Sequence, residues 1–346
     1  MMKDTERILA LSSAFGPSGY EDDVADLMES EVKDFCQCTR DTMGNLYMRP
    51  DGMKNPLVVL DAHMDEVGFM VSCVKENGML MIQNLGGWNP VNVAGSPIRI
   101  RTEKGDVYGV VASRPPHYDK KGERPEMEDL LLDSGFCSAD EVRKAGIEEG
   151  CFCVPDAPSR YNENAGVFEG KAFDCRIGCA ALVGTLEALR GTKTIEHVEA
   201  VGTVQEEVGE RGMFCAVNQL KAKAGICFEG CPADDTFMPA DEIQTAMGKG
   251  PMVRIKDTSM ITNRRFMRFV REVAGQENIP LQLAVRKGGG TNAIVLQEHN
   301  IPAVVIGIPV RYAHSGVGFC AYEDYQNAVK LACALCKRID EFLNQA

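Results

Sequence analysis

Residues 57–66 read Leu57-Val58-Val59-Leu60-Asp61-Ala62-His63-Met64-Asp65-Glu66. Four successive apolar residues with no polar alternation predict a strand buried on both faces, as in a parallel sheet covered by helices on each side. Comparable runs recur at 198–204, 224–228 and 301–308, and segments with helical periodicity lie at 177–190, 260–274, 292–299 and 322–343. That alternation predicts an α/β fold with a mostly parallel sheet flanked by helices.

Residues 3–34 read as two helices joined by a turn, with Ile8, Leu9 and Leu11 before Gly16-Pro17-Ser18-Gly19 and Val24, Ala25, Leu27 and Met28 after it. The middle of the chain differs. Short β-like pieces at 79–83, 98–102 and 107–112 are punctuated by Gly and Pro, which predicts a small β-rich domain over 69–164. It would be inserted into an α/β domain made of 1–68 and 165–346. Ser138 followed by Glu141 predicts one short helix inside it.

Composition narrows the function classes. The 346 residues are 45% hydrophobic and 25% charged, an ordinary globular balance. The net charge of -13 repels nucleic acid and anionic membrane, so neither is expected as a partner. No apolar stretch reaches the roughly 20 residues a membrane helix needs. Fourteen cysteines spread along the chain, with no secretory-type start, predict reduced thiols and a cytoplasmic location. Cys333 and Cys336 fall in a helical pattern, and Cys36, Cys38, Cys151 and Cys153 in strand patterns, so packing explains them better than metal binding.

Histidine is scarce, with five in all, so position is informative. His63 lies three residues past the first apolar run, where open α/β sheets build their sites, and Asp65 is spaced to orient it. Run 198–204 ends in Gln205-Glu206-Glu207, and two adjacent carboxylates are costly there without a nearby cation, although a solvated turn is the plainer reading. Glu229 follows run 224–228, Asp174 precedes a helix and His314 follows run 301–308. Two imidazoles and three carboxylates, with a hydroxide, neutralise two divalent cations. Glu206 is then a spare carboxylate for general-base work.

In this order the residues resemble the metallopeptidase family of glutamyl aminopeptidases and tetrahedral aminopeptidases. The likeness includes Gly16-Pro17-Ser18-Gly19-Tyr20-Glu21, Ala62-His63-Met64-Asp65-Glu66-Val67-Gly68, Gly86-Gly87-Trp88, Gly170-Lys171-Ala172-Phe173-Asp174 and Gln205-Glu206-Glu207-Val208-Gly209. The resemblance implies that Asp174 bridges two metals, one completed by His63 and Glu229 and the other by Glu207 and His314. It further implies Glu206 as the catalytic base and Asp65 as the partner of His63. Zn, Co or Mn suits such ligands. The implied reaction releases N-terminal residues from peptides, and the implied assembly is a hollow dodecamer built from six dimers.

Three positions depart from the family pattern: Cys175 and Asn292 each stand where relatives carry Asp, and Glu229 where they often carry Asp. Two other functions fit the same residues. A deacylase or carboxypeptidase needs a cation for a substrate carboxylate, with Arg311 the nearest candidate. A non-catalytic peptide-binding assembly would not need Glu206.

Overall fold

The computed structural model describes residues 2–115, 117–118 and 125–344. Its large sheet has eleven strands. The four central ones run in the order Val198–Thr203, Val58–His63, Ala224–Pro232 and Ala303–Arg311, all parallel. Alternate residues of each strand face opposite layers: Val58, Leu60 and Ala62 join one core cluster, while Val59 joins the other. All four are fully buried, and each Val or Leu so placed contributes about 1.5–3 kcal/mol. Helices Phe173–Leu189 and Tyr322–Leu343 cover the first face, and Arg211–Ala216 with Ala293–Glu298 the second.

The sheet is mixed rather than mostly parallel. Outside the central four, Leu46–Pro50 pairs antiparallel with Val198–Thr203 and with Cys36–Arg40. On the other side Gly318–Ala321, Val167–Gly170 and Arg160–Asn162 continue antiparallel. Short connections join Cys36–Arg40 to Leu46–Pro50, Arg160–Asn162 to Val167–Gly170 and Ala303–Arg311 to Gly318–Ala321, whereas a parallel neighbour would need a full crossover.

Between Gly68 and Pro155 the chain closes a separate barrel from strands Gly68–Val74, Leu80–Leu85, Pro97–Thr102, Gly105–Val111, Leu131–Asp133 and Phe152–Pro155. Closure leaves no exposed edge, and Phe69, Leu80, Ile82, Ile98, Ile100 and Leu132 fill the interior. The helix expected from Ser138 spans Ala139–Lys144, with Ser138 Oγ accepting the Glu141 N–H at 3.3 Å. The chain re-enters the large sheet at Arg160–Asn162. Among the described residues no helix is long and apolar enough to cross a membrane.

A buried ion cluster ties the turn after His63 to the chain that follows the barrel. Glu66 Oε1 accepts from Lys171 Nζ at 2.5 Å and from Arg176 Nη2 at 3.1 Å, which joins the turn after His63 to the start of helix Phe173–Leu189. Arg176 also donates to the carbonyls of Leu11, Gly16 and Met64. Asp174 is thereby fixed relative to the strand end carrying His63.

Candidate metal centre

His63 is the last residue of its strand, and Glu229 lies near the end of the adjacent parallel strand. Their side chains meet with His63 Nε2 3.4 Å from Glu229 Oε2. Glu206 and Glu207 follow the strand on the other side of His63, and Gln205 turns the chain with φ 55. Asp174 is not at a strand end. It occupies a kink in the first turn of its helix with non-helical dihedrals, and its peptide bond to Cys175 is cis. His314 lies in the turn between Ala303–Arg311 and Gly318–Ala321, at φ 57.

The fold brings His63, Asp174, Glu206, Glu207, Glu229 and His314 into one cavity of about 500 Å³. Asp174 presents one oxygen to each imidazole: Oδ1 is 3.3 Å from His63 Nε2 and Oδ2 is 3.3 Å from His314 Nε2. Ligand atoms of His63, Asp174, Cys175 and Glu229 all lie within 4.8 Å of one another, as do those of Asp174, Glu207 and His314. Asp174 is shared between the two groups. Glu206 Oε2 stands 3.9 Å from His63 Nε2.

Both imidazoles are oriented from behind. His314 Nδ1 donates to the carbonyl of Gly87 at 2.7 Å, which leaves Nε2 facing the cavity. That carbonyl precedes Trp88, which stacks on Phe69 at 4.8 Å and donates Nε1–H to the Gly68 carbonyl, so the barrel supplies the support. His63 Nδ1 lies 3.3 Å from Asp65 Oδ1, though out of line for a hydrogen bond. Asp65 itself is a hub: it accepts Ser18 Oγ–H at 2.6 Å and the backbone N–H groups of Glu206 and Glu207 at 3.0 and 3.1 Å.

The charge pattern is that of residues crowded for a cation. Burial, opposed by His63 and reinforced by Glu229 and Glu207, pushes the Glu206 carboxyl well above its ordinary range. Burial, opposed by His314 and reinforced by Asp174, pushes Glu207 up to about 8. Burial disfavours the charged imidazole of His314, yet Asp174 and Glu207 push it up to about 10. His63 is likewise held above its ordinary value despite burial, by Cys175, Glu206 and Glu229. Glu207 Oε1 is buried without a hydrogen-bond partner, an arrangement that calls for an additional ligand. Imidazole and carboxylate donors of this kind fit divalent cations.

The departures have local explanations. Asn292 is buried and donates Nδ2–H to Asp61 Oδ2 at 3.1 Å and to Thr203 Oγ1 at 2.7 Å. An Asp there would place two carboxylates in contact. Cys175 is buried and donates its thiol to the Phe228 carbonyl at 3.2 Å. Arg311 does not serve a substrate carboxylate, because Nη2 and Nε bind Asp235 at 2.7 and 3.0 Å. Cys333 and Cys336 are buried in the core, as their pattern predicts. Ser18, Glu21 and Gly87 stand in strings that carry the family resemblance, but their roles come from long-range contacts with Asp65, Gln205 and His314.

A profile of the M42 glutamyl aminopeptidase family matches residues 44–331. The lysyl aminopeptidase of Pyrococcus furiosus is 32% identical over 352 residues, covering 98% of each chain. The TET aminopeptidase of the marine sediment archaeon Thaumarchaeota archaeon SCGC AB-539-E09 superposes with a TM-score of 0.93 at 35% identity, covering 98% of this chain and 99% of its own. The TET1 peptidase of Pyrococcus horikoshii, described as assembling into a tetrahedron or a large octahedral shell, gives 0.86 at 27% identity, covering 96% and 99%. Agreement over nearly the whole length, barrel and sheet alike, establishes that the chain belongs to the M42 glutamyl aminopeptidase family and is an aminopeptidase-type hydrolase.

Proposed function

We propose that the protein releases N-terminal residues from peptides, using two divalent cations and Glu206 as general base. The observation that carries this reading is Asp174, whose two oxygens each lie 3.3 Å from a different imidazole. His63 and Glu229 would hold one cation with Asp174, and Glu207 and His314 the other. Zn, Co or Mn would polarise the scissile carbonyl and acidify water when bound.

The chain's own residues supply the rest. Glu206, whose affinity for a proton is raised by burial and neighbouring carboxylates, accepts the proton of the attacking water and delivers it to the leaving amine. Asp65 holds the Glu206 backbone and faces His63, so it acts through both rather than on substrate. The barrel segment within 69–164 serves in dimerisation, and assembly of dimers into a dodecamer is supported by the architecture of the TET relatives. Fourteen free thiols fit a cytoplasmic enzyme.

The test is hydrolysis of paired aminoacyl anilides, free and N-acetylated, after dialysis against Zn, Co or Mn. Cleavage confined to the free-amine members is expected. Turnover confined to the blocked members identifies a deacylase instead, and cation binding without turnover identifies a binding assembly.

A further inference from the structure

The cavity beside the candidate metal centre has one wall whose charges the reaction does not use. Glu210 and Arg254 line it, together with Gly209, Gly230, Gly289 and Gly290. The glycines leave the wall without side chains: a Cβ on Gly290 would lie 2.6 Å from Glu210 Oε1. The Glu210 carboxylate therefore rests directly against the bare Cα of Gly290.

Arg254 and Glu210 differ in their engagement. Arg254 is buried, and its Nη1 donates to Asp257 Oδ2 at 3.0 Å and to the Gly290 carbonyl at 3.2 Å. Its charge is matched by a carboxylate that is itself fully buried. Glu210 is half-buried, and among the described residues its carboxylate has no hydrogen-bond or ion-pair partner. Asp174, Glu207 and Glu229 would face the two cations, Glu206 takes up the proton, and Asp257 pairs with Arg254. Glu210 is the carboxylate of this cavity with none of these tasks.

We propose that Glu210 selects substrates whose N-terminal residue carries a cationic side chain, lysine or arginine. This rests on the aminopeptidase reading above. The first side chain of a peptide whose reacting bond lies at the metal centre would extend along the glycine-walled side of the cavity and meet the free carboxylate. A partly desolvated carboxylate discriminates by charge more strongly than a surface one. An acidic side chain would meet Glu210 unpaired and find Arg254 already engaged.

The test uses the full-length, metal-loaded protein with lysyl, arginyl, leucyl and glutamyl p-nitroanilides at fixed ionic strength. The expected kcat/KM is highest for lysyl and arginyl and lowest for glutamyl, with at least ~10-fold between the extremes. Glu210→Gln is expected to reduce the lysyl-to-leucyl ratio by roughly 10-fold, and Glu210→Lys to raise glutamyl above lysyl. A glutamyl preference in the unmodified protein, or an unchanged ratio in Glu210→Gln, overturns the assignment. Should no free-amine substrate be cleaved, the aminopeptidase reading itself fails. Calorimetric binding of lysinamide and glutamic acid α-amide then decides the selection: tighter lysinamide binding that Glu210→Gln weakens supports it, and equal binding overturns it.

Discussion

Asp65 Oδ1 accepts the backbone N–H of Glu206 at 3.0 Å, so the carboxylate facing His63 also fixes the loop that bears the proposed base. One buried side chain thus registers two neighbouring strand ends against each other. Burial works against its charge, yet His63, Ser18 and the Glu206 N–H hold Asp65 below the usual carboxylate range. Asp65→Ala is expected to lower cation affinity by about 10–100-fold, the scale for partners that orient metal ligands. Titration of the metal-free protein measures it, and unchanged affinity removes Asp65 from the account.

Glu21 supports the same loop from the N-terminal segment. Its Oε1 accepts the Gly19 N–H at 2.7 Å and the Gln205 N–H at 3.0 Å. Glu21→Ala leaves both donors without that acceptor, at up to about 1–3 kcal/mol for the partly buried Gln205 N–H and less for the N–H of exposed Gly19. Glu21→Gln retains an acceptor and is expected to restore most of the loss in denaturant unfolding.

The Glu21 carboxyl also gives a pH signature. Burial, with Asp65 adding, pushes it up to about 8 from an ordinary 4.5. The folded chain therefore binds more protons than the unfolded one between those values, and this group's contribution to stability is lost as pH rises through about 8. Glu21→Gln has no such proton to lose. Unfolding free energies from pH 5 to 8.5 should show the variant gaining on the unmodified protein as pH rises.

Gly230 is placed where no side chain fits. A Cβ there would lie 2.3 Å from the Phe173 carbonyl oxygen and 2.7 Å from Asp174 N and Cα. These are backbone atoms at the base of the shared carboxylate. Gly230→Ala is expected to cost about 1–3 kcal/mol and to lower occupancy of both cations together. Selective loss of one cation would separate Asp174 from the other half of the site.

The crowded carboxylates predict stabilisation by cations. At a free concentration 100 times the dissociation constant, a cation bound only by the folded state adds about 2.7 kcal/mol per site. Thermal unfolding should rise with added Zn, Co or Mn and fall on chelation.

The central strands were legible because burial on both faces removes polar alternation, as at Val58, Val59 and Leu60. The flanking strands were less so: Val167–Gly170 and Gly318–Ala321 have four residues each, too short for a period to show. Their antiparallel pairing is what makes the sheet mixed. His63, Glu206, Glu207 and Glu229 could be placed from their positions after apolar runs. Asp174 owes its position to a kinked helix start beside the Glu66 ion cluster, and His314 owes its orientation to a carbonyl more than two hundred residues away at Gly87. Such contacts follow from tertiary closure and leave no periodic trace.

The most direct test counts cations per chain and measures peptide turnover in the unmodified protein and in Glu206→Gln. Two cations in both proteins, with at least ~100-fold slower hydrolysis in the variant, is the predicted result for a general base that is not a ligand. Loss of a cation from Glu206→Gln, unchanged turnover, or a single cation in the unmodified protein would contradict the account.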